Sequence, residues 1–341
     1  MTAMGRGIGE STIVEALPDA VVVAGAAVTT LGDTAFVFVL LLAAYWVLPE
    51  RVATEPRRTA ATVIAIVTGT LAVLTLLKVG FGLPRPPAAA TPAVAPDWLP
   101  TLFEPWFAET TADDGFGFPS GHATGGAATY LGLAVALDRL GTARRRIAAG
   151  AIVAAAVAIS RVVIEVHYVV DIVAGAALGT GLLVGGVVLA RGRNDGANRS
   201  AAVAGWLTAV LYGSASGRRT LDPTRPFIAA AVAALLGVAV AIRAGDPGSV
   251  VDASAAVGTA LGGAAGWRLC DGSEPPVWAP VGLAAAAVAG PLWILSLAGA
   301  VPPIVGACLA FVAAAIILSA PRLSARVDHR RGASSSYSDS P

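Results

Sequence analysis

Ten apolar stretches separated by polar breaks run the length of this chain, and no other feature limits its fold so tightly. They fall at about 18–31, 34–48, 59–78, 121–137, 146–160, 167–190, 226–242, 249–267, 278–298 and 301–319. Most approach the roughly 20 residues that cross a bilayer as a helix. The hydrocarbon core offers no water to backbone N–H and C=O groups, so such stretches must satisfy them internally, as helices. Composition agrees: 56% of residues are hydrophobic and 13% charged, with a mean hydropathy of +0.73. Soluble domains carry about 25% charged residues, so a water-soluble globule and a disordered chain are both excluded. The net charge of +1 gives no electrostatic footprint for nucleic acid. Cys270 and Cys308 form neither a disulfide framework nor a metal cluster. Glu10, Glu15 and Asp19 precede the first apolar stretch, where a cleaved signal peptide would carry basic residues. The expected fold is all-α, a polytopic transmembrane helical bundle.

Basic residues orient the bundle. Ten crossings put both termini on one side. Arg6, Arg51, Arg57, Arg58, Arg139, Arg144 to Arg146, the arginines of 191–225, Arg268 and those of 322–331 then share that side, 19 of 23 cations. By the positive-inside rule it is cytoplasmic. Lys78, Arg85, Arg161 and Arg243 are left on the other. The stretch at 18–31 is short for a crossing and leaves a re-entrant or interfacial helix open. The stretch at 201–213 reads as an interfacial helix.

Three polar clusters map to the outer side. Lys78, the only lysine, opens K-V-G-F-G-L-P-R-P, in which six residues separate it from Arg85. A lone lysine at a membrane edge can simply snorkel to the headgroups. In a chain that uses arginine everywhere else, it also reads as a site that needs a compact point charge. The second cluster is P-S-G-H, residues 119–122, before an apolar stretch. Ser120 is placed as an N-cap, and Gly121 leaves backbone N–H groups free for an anion. The third is Ser160-Arg161, then His167, then Asp171. The i, i+4 spacing puts His167 and Asp171 on one helix face, where the carboxylate can hold one imidazole nitrogen and leave the other as a nucleophile or base. A structural His–Asp pair between helices is the alternative. Taken together, three cations, a helix N-terminus and two histidines on one face suit a phosphate group.

In this order, K-x6-R-P, P-S-G-H and S-R-x5-H-x3-D match the three signature motifs of the type 2 phosphatidic acid phosphatase (PAP2) family, and the chain resembles that family over roughly residues 34–190. The resemblance implies a six-helix core, with about four further C-terminal helices here, and a metal-free, cofactor-free phosphohistidine route. His167 would be the nucleophile, Asp171 its orienting carboxylate and His122 the general acid. Lys78, Arg85, Ser120, Gly121 and Arg161 would hold the phosphate. The chain also lacks the carboxylate cluster that a Mg²⁺ site would need.

The expected activity is hydrolysis of a lipid phosphate (phosphatidate, a polyprenyl diphosphate or similar) at the extracytoplasmic face of a prokaryotic cell membrane. The expected partners are that substrate and membrane lipids. Trp98, Phe103, Trp106 and Phe107 in the 79–118 loop suit a membrane interface, as anchors or as substrate contacts. A phosphotransferase would share the site. A transporter would instead spread its polar residues through the bilayer's depth, and a haloperoxidase fits the membrane setting poorly. The expected domains are a phosphatase core at 1–190, a cytoplasmic linker at 191–225, additional helices at 226–320 and a disordered tail at 321–341. Gly258, Gly262 and Gly266, like Gly175/Gly179 and Gly181/Gly185, point to close helix packing or a homo-oligomer.

Overall fold

The structure, a computed structural model, describes residues 6–191, 221–270 and 272–338. The stretch at 201–213 and most of the expected linker lie outside these. Twelve helices and no strand make up the described residues. They are α1 (Glu10–Val14), α2 (Asp19–Thr29), α3 (Thr34–Val47), α4 (Pro56–Phe81), α5 (Glu104–Thr111) and α6 (Gly121–Ala136). There follow α7 (Ala143–Val163), α8 (Val169–Arg191), α9 (Thr224–Ala244), α10 (Pro247–Trp267), α11 (Ala279–Leu297) and α12 (Pro303–Ser338). The last helix takes in nearly all of the stretch expected to be a disordered tail.

Local signals set several boundaries. Pro56 opens α4 at a position where its missing N–H costs nothing. Gly82 closes it in the left-handed region at φ 60°, donating its N–H to Lys78 O at 2.9 Å. The Thr142 hydroxyl caps α7 and the Asp246 carboxylate caps α10.

Six helices, α4, α7, α8, α9, α11 and α12, are long and apolar enough to cross a bilayer. A short 3-10 turn joins α2 to α3, and the two meet at 50° as a broken pair, which brings the number to seven at most. Ten was the expectation. Helices α6 and α10 fall short of that measure in length or apolarity, not in running from one end of the bundle to the other. The α6 helix has 16 residues, most of them buried against α4, α7 and α8, so protein covers what lipid would otherwise meet. The α10 helix is Gly- and Ala-rich because it lies against α12. A Cβ on Gly258 would fall 2.0 Å from Ala307 O, and on Gly262 2.1 Å from Phe311 O. Its small-residue stripe is therefore covered within the chain. Side chains of α3, α4, α9, α10 and α12, among them Leu41, Tyr45, Val67, Phe227, Trp267 and Leu318, share one buried cluster. The C-terminal helices are built into the same core as the motif-bearing ones.

Arg6 was expected at the end of the bundle that collects the arginines. It is at the other end. Its guanidinium reaches Asp171, and the Glu10 carboxylate accepts the Val169 N–H at 3.0 Å, both at the start of α8. The α2 helix packs against the far part of α7, with a Cβ on Gly25 only 2.9 Å from Val163. Residues 18–31 therefore do not cross; they enter and turn back at α3, which leaves Arg6 at the end of the bundle that holds Asp171. With Cys270 and Cys308 replaced by alanine, Ile8→Cys and Val94→Cys should react with a membrane-impermeant thiol reagent from one side of sealed vesicles and Leu140→Cys only from the other. Labelling of Ile8→Cys from the Leu140 side would restore the ten-crossing topology.

Candidate active site

Glycine packing brings the second and third motifs together. A Cβ on Gly175 would lie 2.6 Å from Ser120 O, and one on Gly179 2.1 Å from Thr124 O. Only glycine lets α8 approach the α6 backbone this closely. The starts of the two helices are then joined by a hydrogen bond from Ser120 N–H to Asp171 O at 3.1 Å. Ser120 is the N-cap of α6, its hydroxyl accepting the Ala123 N–H at 3.5 Å. The first motif is tied in by its own loop: Gly117 donates its N–H to Leu83 O at 2.8 Å, and Pro84 bridges to Phe116.

These contacts leave a cavity of about 210 Å³. Lys78, Arg85, Asp113, Gly121, His122 and His167 line its polar end, and Val37, Phe38, Val67, Leu71 and Leu74 its apolar wall. Five of the eight residues singled out in the sequence therefore face one space. Arg161 reaches it through Asp113, while Ser120 and Asp171, both fully buried, stand behind the lining. Lys78 has no hydrogen-bond or ion-pair partner among the described residues. Its ammonium faces the cavity rather than the lipid headgroups.

His167 lies in the tight turn between α7 and α8, just ahead of the helix that carries Asp171. The turn places Glu165 at φ 58° and returns the Val166 and His167 N–H groups to Arg161 O. Its Nδ1 is 3.4 Å from Asp171 Oδ2, and that oxygen also accepts the Tyr168 N–H at 3.0 Å. Asp171 thus closes half of a capping box at the start of α8. On the other ring edge, Arg85 Nη1 lies 2.9 Å from His167 Nε2. A guanidinium can only donate and a carboxylate only accept. The hydrogen of neutral His167 is therefore on Nδ1, and the Nε2 lone pair points to where Arg85 would deliver an anion.

Four further residues enter the site that motif reading did not reach. Asp33, just ahead of α3, makes no side-chain cap; its carboxylate lies 2.9 Å from His122 Nε2. Nε2 must carry a hydrogen there, which leaves Nδ1 as the free nitrogen of His122. Asp113 bridges two cations, with Oδ1 at 2.9 Å from Arg85 Nη2 and Oδ2 at 2.6 Å from Arg161 Nη2. Thr29 Oγ1 accepts from Arg161 Nη1 at 3.1 Å. Arg6 completes the shell around Asp171. The one sequence signal available was acidity: Asp113 and Asp33 each stand in a segment flanking the cationic motifs. Among the described residues, no three His, Cys, Asp or Glu side chains are grouped as a metal would require.

Burial sets the protonation of the nucleophile candidate. Desolvation lowers the His167 pKa to about 3; Asp171 opposes the shift, and Arg85, Arg161 and Lys78 add to it. The folded value lies below the ordinary 6.5. Its contribution to stability is thus complete above pH 6.5 and is lost as pH falls toward 3, by up to about 1.4 kcal/mol per pH unit. Wild-type protein in detergent should lose thermal stability between pH 6.5 and 4 more steeply than His167→Gln. Parallel curves would mean that the imidazole is solvated.

The two oxygens of Asp113 span the guanidinium pair as two phosphate oxygens would. Asp113→Asn should therefore tighten binding of inorganic phosphate about tenfold, or about 1.4 kcal/mol, in a titration calorimeter. Unchanged or weaker binding would show that the anion does not take the place of this carboxylate.

Residues 59–195 match the family model described as the PAP2 superfamily. The matched stretch begins in α4 and holds all three motifs, in agreement with the resemblance read from them. No curated protein and no solved structure matches the chain.

Proposed function

We propose that this chain, whose PAP2 superfamily stretch suggests a phosphatase and whose apolar helices suggest an integral membrane protein, hydrolyses a lipid phosphate through a metal-independent phosphohistidine at His167. The observation that carries the reading is the two-sided cavity, cationic and imidazole-lined at one end and walled by α3 and α4 aliphatic side chains at the other. A phosphate head with an apolar tail fits such a space; a soluble sugar phosphate would leave the apolar wall unused.

In the proposed sequence, the substrate phosphate displaces Asp113 from Arg85 and Arg161 and meets Lys78 and the Gly121 N–H. The Arg85 N–H moves from His167 Nε2 to a phosphate oxygen, and this frees the lone pair. Nε2 attacks phosphorus in line and the P–O bond to the leaving group breaks; His122, entering the step as imidazolium with its Nε2–H on Asp33, gives that oxygen its Nδ1 proton. Asp171 stabilises the cationic ring that results. Water then attacks phosphorus while His122 takes its proton, the P–N bond breaks, and phosphate leaves with His167 restored. Phosphoryl transfer depends chiefly on positioning and on neutralising the equatorial oxygens, which three cations do at this site.

The basic residues Arg51, Arg58, Arg139, Arg144 to Arg146, Arg225 and Arg268 lie at the end of the bundle away from the cavity. The positive-inside rule then sets that end in the cytoplasm and the cavity at the extracytoplasmic face, in a prokaryotic cell membrane. Purified protein should release phosphate from phosphatidate or a polyprenyl diphosphate in the presence of EDTA. His122→Ala should lower kcat about 10²- to 10⁴-fold, and His167→Ala should abolish turnover. Release that requires a divalent cation, or that survives His167→Ala, would contradict the mechanism.

A further inference from the structure

The N-terminal segment lies outside the stretch that matches the family model, yet it closes over the back of the His167–Asp171 pair. We propose that Arg6 is a positioning residue of the active site, one that fixes the Asp171 carboxylate so that Asp171 in turn fixes the ring of His167. The proposal rests on the phosphatase reading for its catalytic consequence, though not for its geometry.

Asp171 is fully buried, and each of its oxygens has its own donors. Oδ2 accepts the Tyr168 N–H and faces His167 Nδ1. Oδ1 accepts from Arg6 twice, from Nε at 3.2 Å and from Nη2 at 3.0 Å. Without Arg6 that oxygen would have no partner among the described residues. A buried carboxylate with one bare oxygen is costly and turns about its Cβ–Cγ bond to find donors. Oδ2 would then leave Nδ1, a contact that is already long at 3.4 Å. The charged groups around Asp171 are Arg6 from the N-terminal segment, His167 from the turn, Arg85 from the loop and Lys78 from α4. Glu10 sits beside them on the Val169 N–H. Arg85 and Lys78 face the substrate cavity, so Arg6 is the cation available to Asp171 from behind.

The guanidinium is itself held in place. Its Nη2 donates to Pro84 O at 2.8 Å, and its carbon lies 5.8 Å from the Phe118 ring centroid and 5.4 Å from that of Tyr168. One side chain therefore touches all three motif-bearing stretches. The backbone supports it. A Cβ on Gly7 would come within 3.1 Å of the Tyr168 ring, so a larger residue would have to push that ring aside. The Glu10 carboxylate accepts both the Ile8 and the Val169 N–H groups, which pins residues 6–10 to the start of α8.

Full-length protein carrying Arg6→Ala should lose about 10- to 100-fold in kcat, as removal of an outer-shell partner does elsewhere, with KM changed less than about threefold. Arg6→Lys, which keeps the charge and loses the fork, should recover part of that loss. ¹⁵N spectra of histidine-labelled protein give an activity-independent readout, since the chain has three histidines. Wild type should show His167 as the single Nδ1–H tautomer and Arg6→Ala a mixture. Arg6→Ala with wild-type kcat and an unchanged His167 signal would overturn the proposal. So would a variant whose only defect is thermal stability. If Arg6→Ala fails to fold, the same two readouts on Arg6→Lys decide. If wild-type protein releases no phosphate from any lipid phosphate, the phosphatase reading fails, and the tautomer comparison still tests Arg6.

Discussion

Buried cations need anions, and the site end of this bundle is organised by that requirement. Lys78, Arg85 and Arg161 converge there, and Arg161 is only 3% exposed. Asp113 answers two of the three, while Arg6 stands opposite Asp171. Like charges gathered in a poorly hydrated space repel strongly, so the arrangement holds only with a carboxylate, or another oxyanion, between them. That is the physical basis for reading the cavity as a phosphate seat: the chain already supplies one anion with the spacing a phosphate would offer.

Packing makes the electrostatics possible. Gly175 and Gly179 let α8 close on the α6 backbone, and this brings His122 and His167 to one cavity from helices that start side by side. Each imidazole is then oriented by its own carboxylate, Asp33 for His122 and Asp171 for His167. The two rings thereby leave different nitrogens free of a carboxylate, Nδ1 in His122 and Nε2 in His167. In the proposed route, the proton donor and the nucleophile, made from the same residue type, are told apart by these partners.

The motif residues were legible because their spacing carries meaning at short range: Lys78 to Arg85 spans one helix end and its turn, and Ser120 to His122 one cap. Helix existence was legible as well, from apolar runs. Two things were not. Whether a run crosses the bilayer depends on where its two ends are held, and residues 18–31 lie between Arg6 and Asp33, both held at the cavity end, which hydropathy does not record. The side of Arg6 was misplaced for that reason, since one non-crossing segment reverses the N-terminus. Asp33, Asp113 and Arg6 escaped because their contacts lie 28 to 165 residues away along the chain. No local pattern marks an acid or an arginine that will be used by a distant partner.

The central claim is that separated cations and both histidines surround a single phosphorus-sized centre. A crystal or cryo-electron microscopy structure with orthovanadate tests it most directly. The account predicts vanadium bonded to Nε2 of His167, its oxygens on Lys78, Arg85 and Arg161, Asp113 swung away, and the axial oxygen facing His122. Vanadate bound elsewhere, or seated with Asp113 still bridging the two arginines, would contradict it.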